Sequence, residues 1–232
     1  MIVQTPLCVF VEVLMKQLLT PRWLLAELTG FLFAVYSVYN VFIIFRDRSS
    51  MPSEGVLISA VVALAFAILA VFMWTAGIKG KKYVIFMKIR RATFLVALLV
   101  LIVLKVRLIS RIINYFDATL FYTYLYDGAY FLTLAGFLIL FIYYAFILKA
   151  LPFHTKAAVV LPVSAIILFS LSLIMEIILF FAYGMLFEAN VLRTVVIRPV
   201  FYLGFIGLSL HFLYPLSKTK VKLSHKTQST NQ

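Results

Sequence analysis

From residue 56 to residue 78 the chain passes no charged side chain, and residues 157–183 hold a single one, Glu176. A hydrocarbon core of about 30 Å takes about twenty helical residues to cross, so each run is long enough to span it. Inside lipid no water satisfies the backbone, which leaves the α-helix as the form such runs adopt. Further runs of this kind place spans at residues 23–45, 93–113, 128–149 and 193–214. The expected fold is therefore all-α: a polytopic integral membrane bundle of six helices within residues 22–215.

Composition agrees, because 65% of the 232 residues are hydrophobic, above the roughly half expected of a soluble domain. Prolines also fall where this plan needs them. Pro21, Pro52, Pro152 and Pro215 lie between or beyond spans, while Pro162 and Pro199 sit near the starts of the fifth and sixth, where a missing N–H costs least.

Residues 1–21 read differently. In a helix, Thr5, Glu12, Lys16 and Thr20 share one stripe among apolar neighbours, which describes an amphipathic helix lying at the interface. If it crossed instead, the chain would have seven spans. With Glu12 and Lys16 inside the would-be apolar region and no basic residues before it, this segment is expected to stay in the protein. Residues 216–232 read as a basic, disordered tail.

The formal charge of +13 is distributed between and beside the spans, so the anionic neighbour is phospholipid and not nucleic acid. Lys79, Lys81, Lys82, Lys88, Arg90 and Arg91 crowd the second connection, Lys149 and Lys156 flank the fourth, and Lys218, Lys220, Lys222 and Lys226 mark the tail. The positive-inside rule makes that side cytoplasmic, with both termini on it, in what reads as a bacterial plasma membrane. Residues 79–92 could also dock a soluble or membrane partner. Asp47, Glu54, Asp117 and Glu188 fall on the opposite side.

Small residues four apart, Ala26, Gly30 and Ala34 in the first span and Ser59, Ala63 and Ala67 in the second, allow close backbone approach and predict a tight hairpin. Gly204, Gly207 and His211 share a face of the sixth span, expected to be buried, with His211 a packed histidine more than a ligand.

Ionisable residues within spans are costly, on the order of 3 kcal/mol each at the bilayer centre, and so mark candidate sites. Arg107, Glu176 and Arg198 lie at one depth, about 10 to 14 Å inside the outer edge. Glu176 and Arg198 occupy symmetric positions of the last hairpin, which predicts an ion pair. Arg107, with Arg111 and Asn114 on its stripe, would add positive charge that Glu176 alone does not neutralise. Lys105 is expected to point elsewhere and snorkel outward. Together Arg107, Arg111, Asn114, Glu176 and Arg198 describe a cationic site for a phosphate or carboxylate. The plainer reading is a fixed interhelical staple with arginines reaching headgroups. Glu27 and Asp127 lie closer to the interfaces and read as solvated or paired.

Chemistry is sparse. Cys8 is the lone cysteine, no HExxH, GxGD, GxSG or P-loop motif occurs, and only His211 among histidines lies in a span. No enzyme, metal or cofactor is expected. A transport subunit is the leading expectation, a sensor, assembly factor or scaffold the second, and an outer-leaflet lipid enzyme the third. The layout of an in-plane helix, six spans and a basic second connection is similar in outline to exporter-type ABC permease subunits, with no diagnostic motif behind it.

Overall fold

A computed structural model describes residues 21–47, 51–77, 84–114, 121–147, 156–183 and 196–229. Six long helices account for them: α1 (Pro21–Asp47), α2 (Ser53–Trp74), α3 (Val84–Asn114), α4 (Phe121–Ile142), α5 (Lys156–Tyr183) and α6 (Arg198–Ser229). A short 3₁₀ turn, Thr75–Gly77, follows α2, and a π-turn, Tyr143–Ile147, follows α4. Five helices are long and apolar enough to cross a membrane, and the apolar part of α6, Arg198–Leu213, is shorter. The chain is thus an all-helical, multi-pass membrane protein. The interfacial helix expected at residues 1–20 lies outside the described residues.

Local chemistry sets several boundaries. Pro52, in extended conformation, precedes α2, and Glu54 in the first turn complements the helix dipole. Pro199 is the second residue of α6, where no N–H is needed. Pro162 stands in the second turn of α5, which begins at Lys156, one residue before the expected start. Other bounds differ more from the sequence reading, among them the start of α4 at Phe121 where residue 128 was expected. Helix α3 begins at Val84, so Lys88, Arg90 and Arg91 stand on its first turns and not in a loop; backbone hydrogen bonding carries a helix past the apolar boundary while long cationic side chains reach polar surroundings. Helix α6 continues through Pro215 to Ser229, where a tail was expected.

Each helix packs on its neighbour in sequence, and α6 packs on α1, so the six close into a ring. The predicted α1–α2 hairpin forms: Ala26 and Ala63 are buried, and Ser37 Oγ donates to the Ala63 carbonyl at 2.7 Å. Ring closure depends on α6 glycines. A Cβ on Gly204 would stand 2.7 Å from the Phe33 ring, and one on Gly207 would run into Thr29 Oγ1, so only glycine admits α1 at this distance. The expected buried face of α6 is therefore satisfied within the chain.

Two aromatic layers fill the ring. The middle layer joins Phe33, Phe66, Phe137, Phe169, Phe201 and Phe205, with centroids 5.1 Å apart for Phe33–Phe205, 5.9 Å for Phe66–Phe205 and 4.7 Å for Phe137–Phe205. The second layer joins Phe72, Phe94, Tyr144 and Phe212 nearer the basic end. Aromatic pairs at these separations add about 0.5–1.5 kcal/mol each beyond area burial. In lipid, where apolar burial drives little, such interlocking holds helices together.

Candidate functional site

Beyond the middle aromatic layer, toward the end where α1 meets α2, lies a cavity of about 280 Å³. Its walls combine the later parts of α1, α3 and α5 with the earlier parts of α2, α4 and α6. Such a combination arises when successive helices run in alternating directions. Phe66, Phe137 and Phe201 belong to both cavity lining and aromatic layer and so form the floor.

Glu176 is the cavity's acidic centre and is buried, at 5% exposure. Arg198 Nη1 donates to its Oε2, as the symmetric sequence positions predict. The Tyr202 hydroxyl lies 3.5 Å from Oε1 as a second, weaker donor. Thr133 and Ser172 stand behind Tyr202, but each donates its own proton to a main-chain carbonyl, of Ala129 at 2.6 Å and of Leu168 at 2.9 Å. Arg198 and Tyr202 are thus what these groups leave to hold Glu176.

Lys105 corrects the sequence reading. It does not point away but lines the cavity, its Nζ 3.8 Å from the Tyr130 ring centroid and 5.8 Å from that of Phe201. With the described residues it makes no hydrogen bond or ion pair. Tyrosine and phenylalanine faces hold a cation by their quadrupole but leave all three ammonium protons to other acceptors.

Arg107 also lines the cavity but pairs at its rim, where Nη2 lies 2.5 Å from Glu54 Oε1 and both side chains are about half exposed, 53% and 47%. The sequence reading had left Glu54 as a loop acid. The cation in excess is therefore Lys105, and among the described residues three cations face two carboxylates. Arg111 and Asn114 belong to the last turn of α3, but their side chains lie outside those described.

Several lining residues went unnoticed in the sequence. Tyr36, Tyr39, Asn40 and Ile43 recur at three- and four-residue steps on α1, which is a single helical face, and Ser59, Tyr130 and Tyr202 complete the polar lining. The α1 stripe was legible by spacing. Tyr130 had been read as part of an interfacial aromatic belt. Asp127, expected to be solvated or paired, is buried at 6% exposure near the start of α4.

Among the described residues, no three His, Cys, Asp or Glu side chains gather as metal ligands would. The arrangement offers a cationic ammonium, a guanidinium–carboxylate pair and phenol hydroxyls above an apolar floor. No protein-family model, curated protein or solved structure matches this chain.

Proposed function

We propose that this is a small transport protein of permease type, whose cavity receives an organic anion with a carboxylate or phosphate group and an apolar body. Lys105 carries the reading: a cation among aromatic faces, inside the ring, without a carboxylate of its own. A charge held this deep is costly unless it is neutralised, so an anion that enters gains a strong partner and relieves that cost. Tyr36, Tyr39 and Tyr130 would flank its body, and Arg107 at the half-exposed rim would draw it in electrostatically. The aromatic layers below favour a route open at one end and closed at the other, which a transporter alternates.

In the proposed orientation the basic end faces the cytoplasm of a bacterial plasma membrane and the cavity faces outward. Anionic phospholipid would line the cytoplasmic face, and the segment around residues 79–92, helical from Val84, would dock any partner subunit.

The test is twofold. Purified protein is melted against a panel of aliphatic and aromatic carboxylates and phosphate monoesters, and stabilising compounds are then measured for uptake into proteoliposomes. Stabilisation that Lys105→Met abolishes, together with flux, supports the proposal. Stabilisation without flux would favour a sensor, and indifference to every anion would sink the cavity's assignment.

A further inference from the structure

Besides the ammonium of Lys105, the cavity holds acceptors that the described chain leaves unfilled. Glu176 receives Arg198 on Oε2, while its Oε1 has only the Tyr202 hydroxyl, at a distance of 3.5 Å that makes a weak bond. On α1, Asn40 donates from Nδ2 to the Tyr36 carbonyl at 2.8 Å, and no described group donates to its Oδ1. Asn40 is 9% exposed and lines the same cavity. Buried acceptors are satisfied as a rule, and leaving a charged one short costs most, so these two oxygens call for a donor.

One ring brings these groups together. Phe201, in the cavity floor, has its centroid 5.8 Å from Lys105 Nζ, 5.3 Å from the Tyr36 ring and 5.0 Å from the Tyr202 ring. Around it α3 presents an ammonium that no described group accepts from. Through Tyr202 it adjoins the α5 carboxylate, and Asn40 stands one turn beyond Tyr36 on α1. The void they share measures about 280 Å³, below the roughly 300–1,000 Å³ of pockets for drug-sized ligands, which suits a small metabolite and not a two-chain lipid.

We infer that the ligand is an amino acid with an apolar or aromatic side chain, an assignment that rests on the cavity's being the anion pocket proposed above. Its carboxylate is the anionic group that Lys105 receives, and its protonated amine donates to Glu176 Oε1 and Asn40 Oδ1. Charges then alternate from Lys105 through the ligand's carboxylate and ammonium to Glu176 and Arg198, so each has an opposite charge beside it. A simple carboxylate would satisfy Lys105 and leave both acceptors unfilled. A simple amine would meet Lys105 as a like charge. The ligand's side chain lies against Phe66, Phe137 and Phe201, the apolar floor.

Thermal melts of the purified full-length protein at neutral pH test this with two matched sets: L-phenylalanine, hydrocinnamate and phenethylamine, and L-leucine, isocaproate and isoamylamine. In at least one set the amino acid should stabilise at a concentration about tenfold lower than its deaminated acid, with no stabilisation by the amine. Glu176→Gln should reduce that preference to about twofold and Asn40→Leu should reduce it by about threefold, while Lys105→Met abolishes the response to both acids. Each variant is compared with its own unliganded melt, and if Glu176→Gln does not fold, Asn40→Leu decides. Deaminated acids that stabilise as well as the amino acids overturn the amino-acid assignment and leave the anion pocket standing. No response to any carboxylate overturns both. Stabilisation by the amines alone, or a preference for the amino acid that the variants leave intact, also overturns the assignment.

Discussion

Replacing Glu176 by glutamine keeps the side chain's shape and removes its charge, which leaves the Arg198 guanidinium facing a neutral amide. Glu176 is nearly dry and Arg198 only one-quarter exposed, with side-chain exposures of 6% and 25%. Breaking a buried pair by removing one partner costs about 3–5 kcal/mol, and the partial exposure of Arg198 places this one near the lower figure. At roughly 2–4 °C per kcal/mol for a chain of this size, the melting temperature should fall by about 6 to 12 °C. The double variant Glu176→Gln, Arg198→Gln removes the guanidinium together with its carboxylate and should recover about half or more of the loss. Tyr202 still offers its hydroxyl to whichever group remains, so part of the effect stays local. Melting the wild type, Glu176→Gln, Arg198→Gln and the double variant in one detergent, followed by intrinsic fluorescence, gives the coupling energy, expected at about 1–3 kcal/mol. Additive losses, or a single variant that melts like the wild type, would refute the pair as a buried interaction.

Lys105→Met should leave the melting temperature unchanged or raise it, because it removes a desolvated cation, while it abolishes stabilisation by anions; a matching loss of stability would show the lysine to be structural. Arg107→Gln should cost about 1 kcal/mol or less, and that cost should shrink in high salt, since its pair with Glu54 is exposed; a large, salt-independent loss would contradict the rim placement. Gly207→Ala should destabilise by about 1–3 kcal/mol in thermal melts, with recovery when Thr29→Ala makes room, and the absence of recovery would undo the account of ring closure. In a Cys8→Ser background, cysteines replacing Lys82 and Lys222 should resist an impermeant thiol reagent in intact cells while one replacing Ser53 reacts, and the reverse pattern would invert the proposed orientation.

The long apolar helices and the Glu176–Arg198 pair were legible because they depend on position along the chain: run length gives helices long enough to cross, and distance from a hairpin's turn gives depth. Lys105 was not, because depth says nothing of direction around a helix. Lys105 and Arg107 are about 200° apart on an ideal helix, yet α3 forms enough of the wall for both long side chains to reach the cavity. The aromatic layers were hidden for a related reason. Helices apolar on every side carry phenylalanines toward lipid and core alike, so Phe31 and Phe33 look equivalent in sequence although one is 61% exposed and the other fully buried. Glycine spacing on α6 did reveal a packed face, but which helix covers it depends on the chain's closure on itself.

That closure makes the order of synthesis consequential. Helix α1 leaves the ribosome before the other described helices, yet its partner at the seam, α6, follows all of them. Until then Glu176 sits in a five-helix arc with its principal counter-charge still unmade, and the groove that Phe205 and Phe201 will fill stands open between α5 and α1. Arg198 enters with the segment that closes the gap, so completion of the wall and neutralisation of the acid are one event, and a chain arrested before it would offer the membrane's quality-control proteases an unpaired carboxylate and an open seam.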